Sequence, residues 1–110
     1  MKLVVIESPF AGDNEANLVY LDRCIRDCLN RGESPYASHK MLTTALNDLI
    51  PEQRALGIQA GLAWRRRADS RIFYVDLGWS GGMLAACNLY IAEGLSYQIR
   101  NLDQLNEVTP

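Results

Sequence analysis

Short apolar runs along the chain predict β-strands that are covered on both faces. Residues 3–6 have the sequence Leu-Val-Val-Ile with no polar break, and a similar run, Ile-Phe-Tyr-Val, follows Arg71. Continuous runs of this kind are typical of parallel strands, whereas half-exposed strands alternate apolar and polar residues. With two less marked segments added, the predicted strands lie at residues 2–7, 34–38, 71–75 and 97–100.

Between the strands, apolar residues recur at the three- and four-residue spacing of α-helices. The first such segment extends from Asn14 to about Arg31, with Asp13 placed to cap its first turn and Gly32 placed to end it. A helix is therefore predicted between the first two strands. Residues 40–50 fit either a short helix or a loop.

Two further helices are predicted later in the chain. Pro51 suits the first turn of a helix, where its missing N–H costs nothing, and the arginines at residues 65–67 suit its C-terminal end. The apolar residues that we expect this helix to bury are Leu56, Ala60, Leu62 and Ala63. The last helix follows Ser80 and ends before Gly94.

The order of these elements predicts one three-layer α/β domain. Strands that alternate with helices form parallel sheets with right-handed crossovers, and the helices then cover both faces. The 110 residues provide for one hydrophobic core. We therefore expect a single domain over residues 1–102, with about four parallel strands, followed by a polar tail at residues 103–110.

Composition and charge argue against two function classes. The chain has 48% hydrophobic and 22% charged residues and a formal net charge of −2. A protein that coats nucleic acid or a membrane surface needs an excess of Lys and Arg to pair with phosphates. No apolar run is long enough to cross a bilayer, and the run before Glu7 is too short for a signal peptide. We expect a cytoplasmic protein that binds neither nucleic acid nor membranes.

The number and spacing of the cysteines predict buried packing residues rather than disulfides, redox groups or metal ligands. Cys24, Cys28 and Cys87 are an odd set, which does not suit a disulfide scaffold. Cys24 and Cys28 share one helix face, where a small apolar residue suits the core. His39 is the only histidine and no Cys-x-x-Cys occurs, so neither a metal site nor a cofactor is predicted.

Two segments of unusual composition follow predicted strands, at the sheet edge where α/β proteins bind ligands. The small residues at 8–14 let a ligand approach the backbone, and the helix that follows can hold an anion on its first N–H groups. In the segment at 76–83, Asp76 can accept hydrogen bonds from sugar hydroxyls, and Ser80 with its neighbouring glycines can donate to a phosphate or carboxylate. The alternative is that both segments are tight turns with capping residues.

A third candidate is the Ser38-His39 pair, after the second predicted strand. His39 suits acid–base chemistry or ligand binding, or else makes one structural hydrogen bond. Trp79 can stack on a base, although Trp79 and Trp64 suit a core or a subunit interface equally. The predicted ligand-binding residues are Ser8, Pro9, Phe10, Ala11, Gly12, Asn17, Ser38, His39, Asp76, Gly78, Trp79, Ser80, Gly81, Gly82 and Met83.

Four motifs extend over nearly the whole chain. They are Val-Val-Ile-Glu-Ser-Pro-Phe-Ala-Gly at residues 4–12, the pair at 38–39, the stretch at 51–64 and Asp-x-Gly-x-Ser-x-Gly-Met at 76–83. Together they resemble nucleoside 2-deoxyribosyltransferase-like proteins, and more closely a group of short phage and bacterial proteins assigned to that fold. The resemblance implies a flavodoxin-like arrangement of the layers, a nucleoside or nucleotide ligand, and assembly into a homodimer or a larger homo-oligomer.

The resemblance also implies a position for a catalytic nucleophile. The transferases of this family use a carboxylate on the helix that follows the Asp-x-Gly motif, and it forms a covalent glycosyl intermediate. The corresponding stretch here, from Leu77 to Ala92, contains no Asp or Glu. The remaining candidates for catalysis are Asp76 or Glu7 as the carboxylate and His39 as a proton donor.

These observations lead to one leading hypothesis and two alternatives. The leading hypothesis is a protein that binds a nucleotide or a nucleotide-derived sugar without cleaving it, and that in a phage would sequester a nucleotide signal of the host's immune response. The first alternative is an N-glycoside hydrolase or transferase that acts on nucleosides or nucleotides. The second is a protein-interaction module that exposes Trp64, Trp79 and Tyr90.

Overall fold

The computed structural model describes residues 1–10 and 14–102, and within these ranges it has four strands and four helices. In chain order they are β1 (Lys2–Glu7), α1 (Asn14–Asn30), β2 (Glu33–Tyr36), α2 (Ser38–Ala45), α3 (Pro51–Arg67), β3 (Ser70–Tyr74), α4 (Gly81–Glu93) and β4 (Tyr97–Arg100). The predicted alternation is confirmed, except that two helices connect β2 to β3. Asp13, the predicted cap of α1, lies outside the described residues.

The strands form one sheet in the order β2-β1-β3-β4, and every neighbouring pair is parallel. In the central strand β1, Val5 is in register with Tyr36 of β2 on one side and with Arg71 of β3 on the other. Because the chain first moves to one edge and then returns past β1, right-handed crossovers place α1 on one face and α3 and α4 on the opposite face. The predicted parallel sheet with helices on both faces is confirmed.

Alternate side chains of the central strands contribute to a separate core on each face. On the α1 face, Ile72 of β3 packs with Leu21 and other buried residues of α1. On the other face, Phe73 packs with Met83 and Tyr90 of α4. The strand ends are thereby held firmly, and the segments that follow β1, β2 and β3 start from fixed positions.

The helix ends that carry strong local signals lie where they were predicted. Ser80 caps α4, because its Oγ accepts a hydrogen bond from the Met83 N–H at 3.2 Å. Gly94 ends the same helix in the left-handed conformation, with φ 68°, which glycine adopts without strain. Pro51 occupies the first turn of α3.

The second strand and the connection after it differ from prediction. β2 covers Glu33–Tyr36 rather than residues 34–38, and Ser38 is the first residue of α2. β2 lies at the sheet edge, so its length follows from pairing with β1 rather than from burial on both faces. The open question at residues 40–50 is answered by α2, which continues to Ala45 before a short connection.

α3 buries small residues rather than the apolar side chains that were predicted to face the core. Gly61 is its buried residue, and a Cβ at that position would lie 3.0 Å from the Arg65 Nη1. A Cβ at Gly57 would lie 3.3 Å from the Leu46 Cδ1, so glycine at that position lets the end of α2 approach α3 closely. The apolar residues of α3 are spread around the helix, so their spacing does not identify a buried face. The residues predicted to be buried are exposed or only half-buried: Leu56, Ala60, Leu62 and Ala63.

The cysteines are packing residues, as predicted. Cys24 and Cys28 are fully buried and Cys87 is half-buried, and all of them are free thiols. Burial raises the pKa of Cys24 to about 12 and that of Cys28 to about 11, so both remain unreactive at neutral pH. In the described part of the chain, no group of His, Cys, Asp and Glu is arranged to hold a metal ion. Among the described helices, none has the length and apolar character needed to span a membrane.

Candidate functional site

A cavity of about 240 Å³ lies between α2 and α3, at the carboxyl ends of β1 and β2. It combines apolar walls with a small number of polar groups, which is the usual composition of a small-molecule site. Its position is the sheet edge at which open α/β proteins bind ligands. The residues that line it are Phe10, Ser38, His39, Leu42, Leu46, Asp48, Arg54, Gly57, Ile58 and Arg65.

The segments that follow β1 and β2 meet at this cavity through a serine and a histidine. The Ser8 Oγ and the His39 Nε2 are 3.1 Å apart, within hydrogen-bonding distance. The Phe10 ring lies against the imidazole, with 5.5 Å between the ring centroids. Burial lowers the pKa of His39, the Glu7 carboxylate opposes this shift, and the Arg65 charge adds to it, so the pKa lies below its ordinary value. The imidazole is therefore neutral at neutral pH and offers a donor on one nitrogen and an acceptor on the other.

Asn17 of α1 holds the segment after β1 in place through a hydrogen bond to its backbone. Its Nδ2 donates a hydrogen bond to the Phe10 carbonyl oxygen at 3.1 Å, and the residue is 9% exposed. Asn17 thus supports the wall of the cavity without lining it. Of the other predicted residues of this segment, Pro9 is buried, whereas Ala11 and Gly12 lie outside the described residues.

Glu7 lies beneath the cavity in a buried ion pair. Its carboxylate accepts hydrogen bonds from the Arg65 Nε at 2.8 Å and from the Arg65 Nη2 at 3.2 Å. The Tyr90 hydroxyl also donates to it. Arg65 lies near the predicted C-terminal end of the helix, and its side chain is only 19% exposed because it reaches this carboxylate. Glu7 is therefore fully engaged by structural partners.

The sequence analysis missed the charged residues at the mouth of the cavity. Arg54 and Asp48 both line it, and both are exposed. Within the described ranges, no carboxylate oxygen lies within 4 Å of the Arg54 guanidinium. One pattern in the sequence could have indicated this side of α3. Small residues four positions apart, Gly57 and Gly61, indicate the helix face that another helix approaches.

The segment that follows β3 does not line the cavity. The Asp76 carboxylate accepts hydrogen bonds from the Tyr20 hydroxyl at 2.5 Å and from the Leu102 N–H at 2.9 Å. Burial and the hydrogen bond to Asp76 raise the pKa of Tyr20. Asp76 thus joins α1, β3 and the end of the domain, which is the structural alternative considered for this segment.

The rest of this segment also makes structural contacts. Gly78 supplies a turn with φ 87°, and the Trp79 ring packs on Phe73 with 4.9 Å between centroids. Met83 is buried, and Gly81 and Gly82 lie in the exposed first turn of α4. Ser80 is the helix cap.

The three aromatic residues expected at an interface have different environments. The prediction that Tyr90 is exposed is wrong. Tyr90 is fully buried, and its hydroxyl donates a hydrogen bond to Glu7. Trp64 is 49% exposed and stacks on Tyr36, with 4.7 Å between centroids. Trp79 is 38% exposed.

The structural role of Asp76 predicts a loss of stability in Asp76→Ala. The Tyr20 hydroxyl and the Leu102 N–H would lose their acceptor, and a buried donor without a partner costs about 1–3 kcal/mol. Urea denaturation followed by circular dichroism measures the change. Asp22→Ala, which removes an exposed carboxylate of α1, is the control and should change the free energy of unfolding much less. An Asp76→Ala variant as stable as the parent protein would contradict the structural role.

A larger concavity, of about 530 Å³, lies on the outer side of α1. It is lined by α1 residues, among them Arg23 and Arg26, and by Leu102, the last described residue. Most of its lining comes from α1, and none of the predicted site residues lines it. We therefore take the smaller cavity between α2 and α3 as the candidate site.

Comparison with known proteins identifies a family but no characterised relative. No curated protein matches the chain. One family model matches residues 2–102, which is nearly the whole chain and includes every described element and the candidate site. The chain therefore belongs to the family described as a domain of unknown function, DUF7768.

Proposed function

We propose that the chain binds a nucleotide or a nucleotide-derived sugar in the cavity between α2 and α3, and that it releases this ligand unchanged. The observation that supports the proposal is one cavity, at the carboxyl ends of β1 and β2, with an aromatic wall and with Arg54, which makes no ion pair to a carboxylate among the residues that the structure describes. A nucleotide presents the matching groups: a flat apolar base, a polar sugar and an anionic phosphate.

Each part of such a ligand has a matching side chain in the cavity. The Phe10 ring and the apolar residues Leu42 and Ile58 suit the faces of a base. The Ser38 hydroxyl can donate to or accept from a sugar hydroxyl, and the His39 imidazole, which contacts Ser8, lies beside it on the cavity wall. The Arg54 guanidinium suits a phosphate, because its planar donors match phosphate oxygens in a bidentate manner.

The resemblance noted in the sequence supports the same ligand class. Its motif at residues 4–12 and its Ser38-His39 pair supply Phe10, Ser38 and His39 to the cavity. At about 240 Å³ the cavity is smaller than the roughly 300–1,000 Å³ of sites for drug-sized ligands. This size favours a ligand with one base over a dinucleotide.

The partners of the two carboxylates considered for catalysis, Glu7 and Asp76, favour binding over cleavage of the glycosidic bond by either of them. Glu7 is held by Arg65 and Tyr90, and Asp76 is held by Tyr20 and Leu102. A nucleophile needs a free lone pair directed at the anomeric carbon. A protein that retains its ligand intact suits sequestration of a nucleotide signal, which is the role that we propose if the chain comes from a phage.

Removal of the Arg54 guanidinium should weaken the binding of phosphorylated ligands specifically. We expect Arg54→Ala to raise the Kd of a nucleoside monophosphate about 10- to 100-fold, since a charged hydrogen bond is worth ~1.5–3 kcal/mol. The Kd of the unphosphorylated nucleoside should stay nearly unchanged. Isothermal titration calorimetry measures both values. Arg67→Ala, which removes an exposed arginine at the end of the same helix, is the matched control and should bind like the parent protein.

A ligand panel tests the proposed function itself. The purified protein is incubated with nucleosides, nucleotides, ADP-ribose derivatives and cyclic nucleotides, and mass spectrometry then examines the supernatant and the ligand released by heat. An intact nucleotide recovered from the parent protein, and lost in Phe10→Ala, supports the proposal. A free base in the supernatant would establish the N-glycoside hydrolase or transferase instead. No binding across the panel would contradict both, and would favour the interaction module.

A further inference from the structure

Asp48 is a carboxylate at the cavity to which the proposed function gives no role. It belongs to the short connection between α2 and α3, where it lines the cavity and is exposed. Among the described residues that line the cavity, it is the only acidic one. Glu7 and Asp76, the carboxylates considered earlier, are held by structural partners. Within the described ranges, Asp48 is therefore the carboxylate that a ligand in the cavity can contact.

Hydrogen bonds on both sides of Asp48 fix the connection that carries it. The Asn47 N–H donates to the Gln53 Oε1 at 2.6 Å, which ties the connection to α3. The Asn47 Oδ1 accepts from the Leu49 N–H at 2.9 Å, and the Asn47 carbonyl oxygen accepts from the Ile50 N–H at 3.1 Å. An Asn side chain that bonds to the backbone two residues on stabilises a turn. The backbone of Asp48 is thus held in place without any contact from its own side chain.

The Asp48 carboxylate makes no ion pair with the residues that the structure describes. Arg54, in the first part of α3, lines the same cavity and carries the opposite charge. The two side chains are not paired with each other. The mouth of the cavity therefore presents an anionic and a cationic group, and each of them is available to a ligand.

A carboxylate beside a phosphate-binding arginine opposes the binding of an anion unless the ligand also donates hydrogen bonds to it. Phosphate and carboxylate repel each other, and a carboxylate that is removed from water without new hydrogen bonds costs free energy. An ionised carboxylate accepts on both of its oxygens and donates on neither. The part of the ligand that lies at Asp48 therefore has to carry donors, preferably two of them side by side.

The arrangement of the cavity places the sugar of a nucleotide at this point. Phe10 and Leu42, which suit the base, are half-buried, whereas Arg54 and Asp48 are exposed. With the base against the inner walls and the phosphate at the mouth, the sugar that joins them lies near the mouth. Ribose has neighbouring 2′- and 3′-hydroxyls on one side of its ring, and these two donors match the two oxygens of a carboxylate.

We propose that Asp48 accepts hydrogen bonds from the 2′- and 3′-hydroxyls of a ribose, so that the cavity selects ribonucleotides over 2′-deoxyribonucleotides. This inference rests on the proposed function, because it needs a nucleotide in the cavity with its phosphate at Arg54. Dinucleotide-binding α/β proteins likewise use an acidic side chain at the 2′-hydroxyl of a ribose. The resemblance does not imply this preference, since the transferases are named for a sugar without a 2′-hydroxyl. Asp48 takes the role at the sugar for which Asp76 was considered.

Calorimetric titration with sugar-matched nucleotides tests the inference. AMP, GMP, CMP and UMP and their 2′-deoxy counterparts are titrated into the parent protein, Asp48→Ala and Glu52→Ala. We expect the parent protein to bind the preferred ribonucleotide at least about 10-fold more tightly than its deoxy counterpart, since hydrogen bonds to a charged group are among the stronger ones. The arabinose epimer of the same nucleotide has its 2′-hydroxyl on the other side of the ring, so it should bind like the deoxynucleotide.

The two variants separate the hydrogen bonds of Asp48 from its charge. In Asp48→Ala the preference for ribose should disappear, while the deoxynucleotide binds at least as tightly as before because its phosphate is no longer repelled. Glu52→Ala is the matched control, since Glu52 is an exposed carboxylate in the first turn of α3 and does not line the cavity. This control should keep the preference. Circular dichroism checks that both variants are folded.

The outcomes distinguish failure of this inference from failure of the proposed function. A parent protein that binds ribonucleotides and deoxyribonucleotides equally would overturn the inference and leave the proposed function in place. A preference for ribose that persists in Asp48→Ala would also overturn it, and would assign the sugar contact to other residues of the cavity. If the parent protein binds neither series, the proposed function fails and the inference fails with it.

Discussion

Glu7→Ala is expected to destabilise the protein by about 3–5 kcal/mol, because it leaves a buried charge without its partner. The Arg65 side chain is 19% exposed and the Glu7 side chain is 6% exposed, so solvent cannot replace the lost carboxylate. The Tyr90 hydroxyl would lose its acceptor as well. Since small domains are stable by roughly 5–15 kcal/mol in total, this change removes a large part of their stability. Urea denaturation of the parent and variant proteins measures it.

A second ion pair of the same geometry supplies the control. Arg66, the next residue of α3, makes a two-pronged contact with Glu93, at 3.0 and 3.1 Å. That pair lies at the surface, with Arg66 52% exposed, so Glu93→Ala should change the free energy of unfolding far less. Glu7→Leu combined with Arg65→Met should recover part of the stability lost in Glu7→Ala, because no charge is then left buried. Equal effects of Glu7→Ala and Glu93→Ala would contradict this account.

A second substitution at this position, Glu7→Gln, distinguishes a structural role of Glu7 from a catalytic one. A nucleophile is replaceable without loss of stability, since it acts on substrate and not on the fold. Glu7→Gln keeps the shape of the side chain but removes its charge, so we expect a clear loss of stability here too. A stable Glu7→Gln protein that lacks base release present in the parent would instead make Glu7 catalytic.

The sheet was predictable because each central strand is marked by a short run of neighbouring apolar residues. The run at residues 3–6 and the run after Arg71 are apolar without a break, which distinguishes strands covered on both faces. Ser80 and Gly94 are likewise signals that act within one turn of helix. β2 was misplaced because an edge strand needs no such run, and its ends follow from register with β1.

The candidate site was only half predictable. Phe10, Ser38 and His39, which line the cavity, were predicted as a group because they follow strand ends, and strand ends meet at one edge of a parallel sheet. Arg54 was missed because its place depends on how α2 packs on α3, through contacts that no local pattern specifies. The contacts of Asp76 could not be predicted for a different reason. A carboxylate after a strand suits a ligand, but its partner Tyr20 is 56 residues away in the chain.

A buried polar network on the other side of the sheet leads to the second large effect. Arg100 of β4 makes two hydrogen bonds to Glu33 of β2, at 2.8 and 2.6 Å, and both residues are almost fully buried. Arg100 also donates to the Tyr74 hydroxyl, which donates in turn to Asp27 at 2.6 Å. The network connects the strands at the two edges of the sheet through the end of α1.

Glu33→Ala is expected to cost about 3–5 kcal/mol at neutral pH, since it leaves Arg100 charged and buried. Tyr74→Phe, which removes one hydroxyl and leaves the ion pair in place, should cost less, about 1–3 kcal/mol. Arg100→Met combined with Glu33→Leu should be more stable than either single change, because the two charges leave together. Thermal and urea unfolding compare the variants.

The cost of losing Glu33 should depend on pH in a specific direction. Hydrogen bonds from Arg100 lower the pKa of Glu33 in the folded protein, whereas the unfolded chain titrates near the ordinary value of about 4.3. A lowered pKa means that the carboxylate contributes its full stability above about pH 4.3 and loses it as the pH falls towards the folded value. The difference in unfolding free energy between the parent protein and Glu33→Gln should therefore be constant from neutral pH to about pH 5 and shrink below it. A difference that stays constant down to pH 3 would mean that the ionised carboxylate is not what holds Arg100, and that packing around the side chain supplies the stability instead.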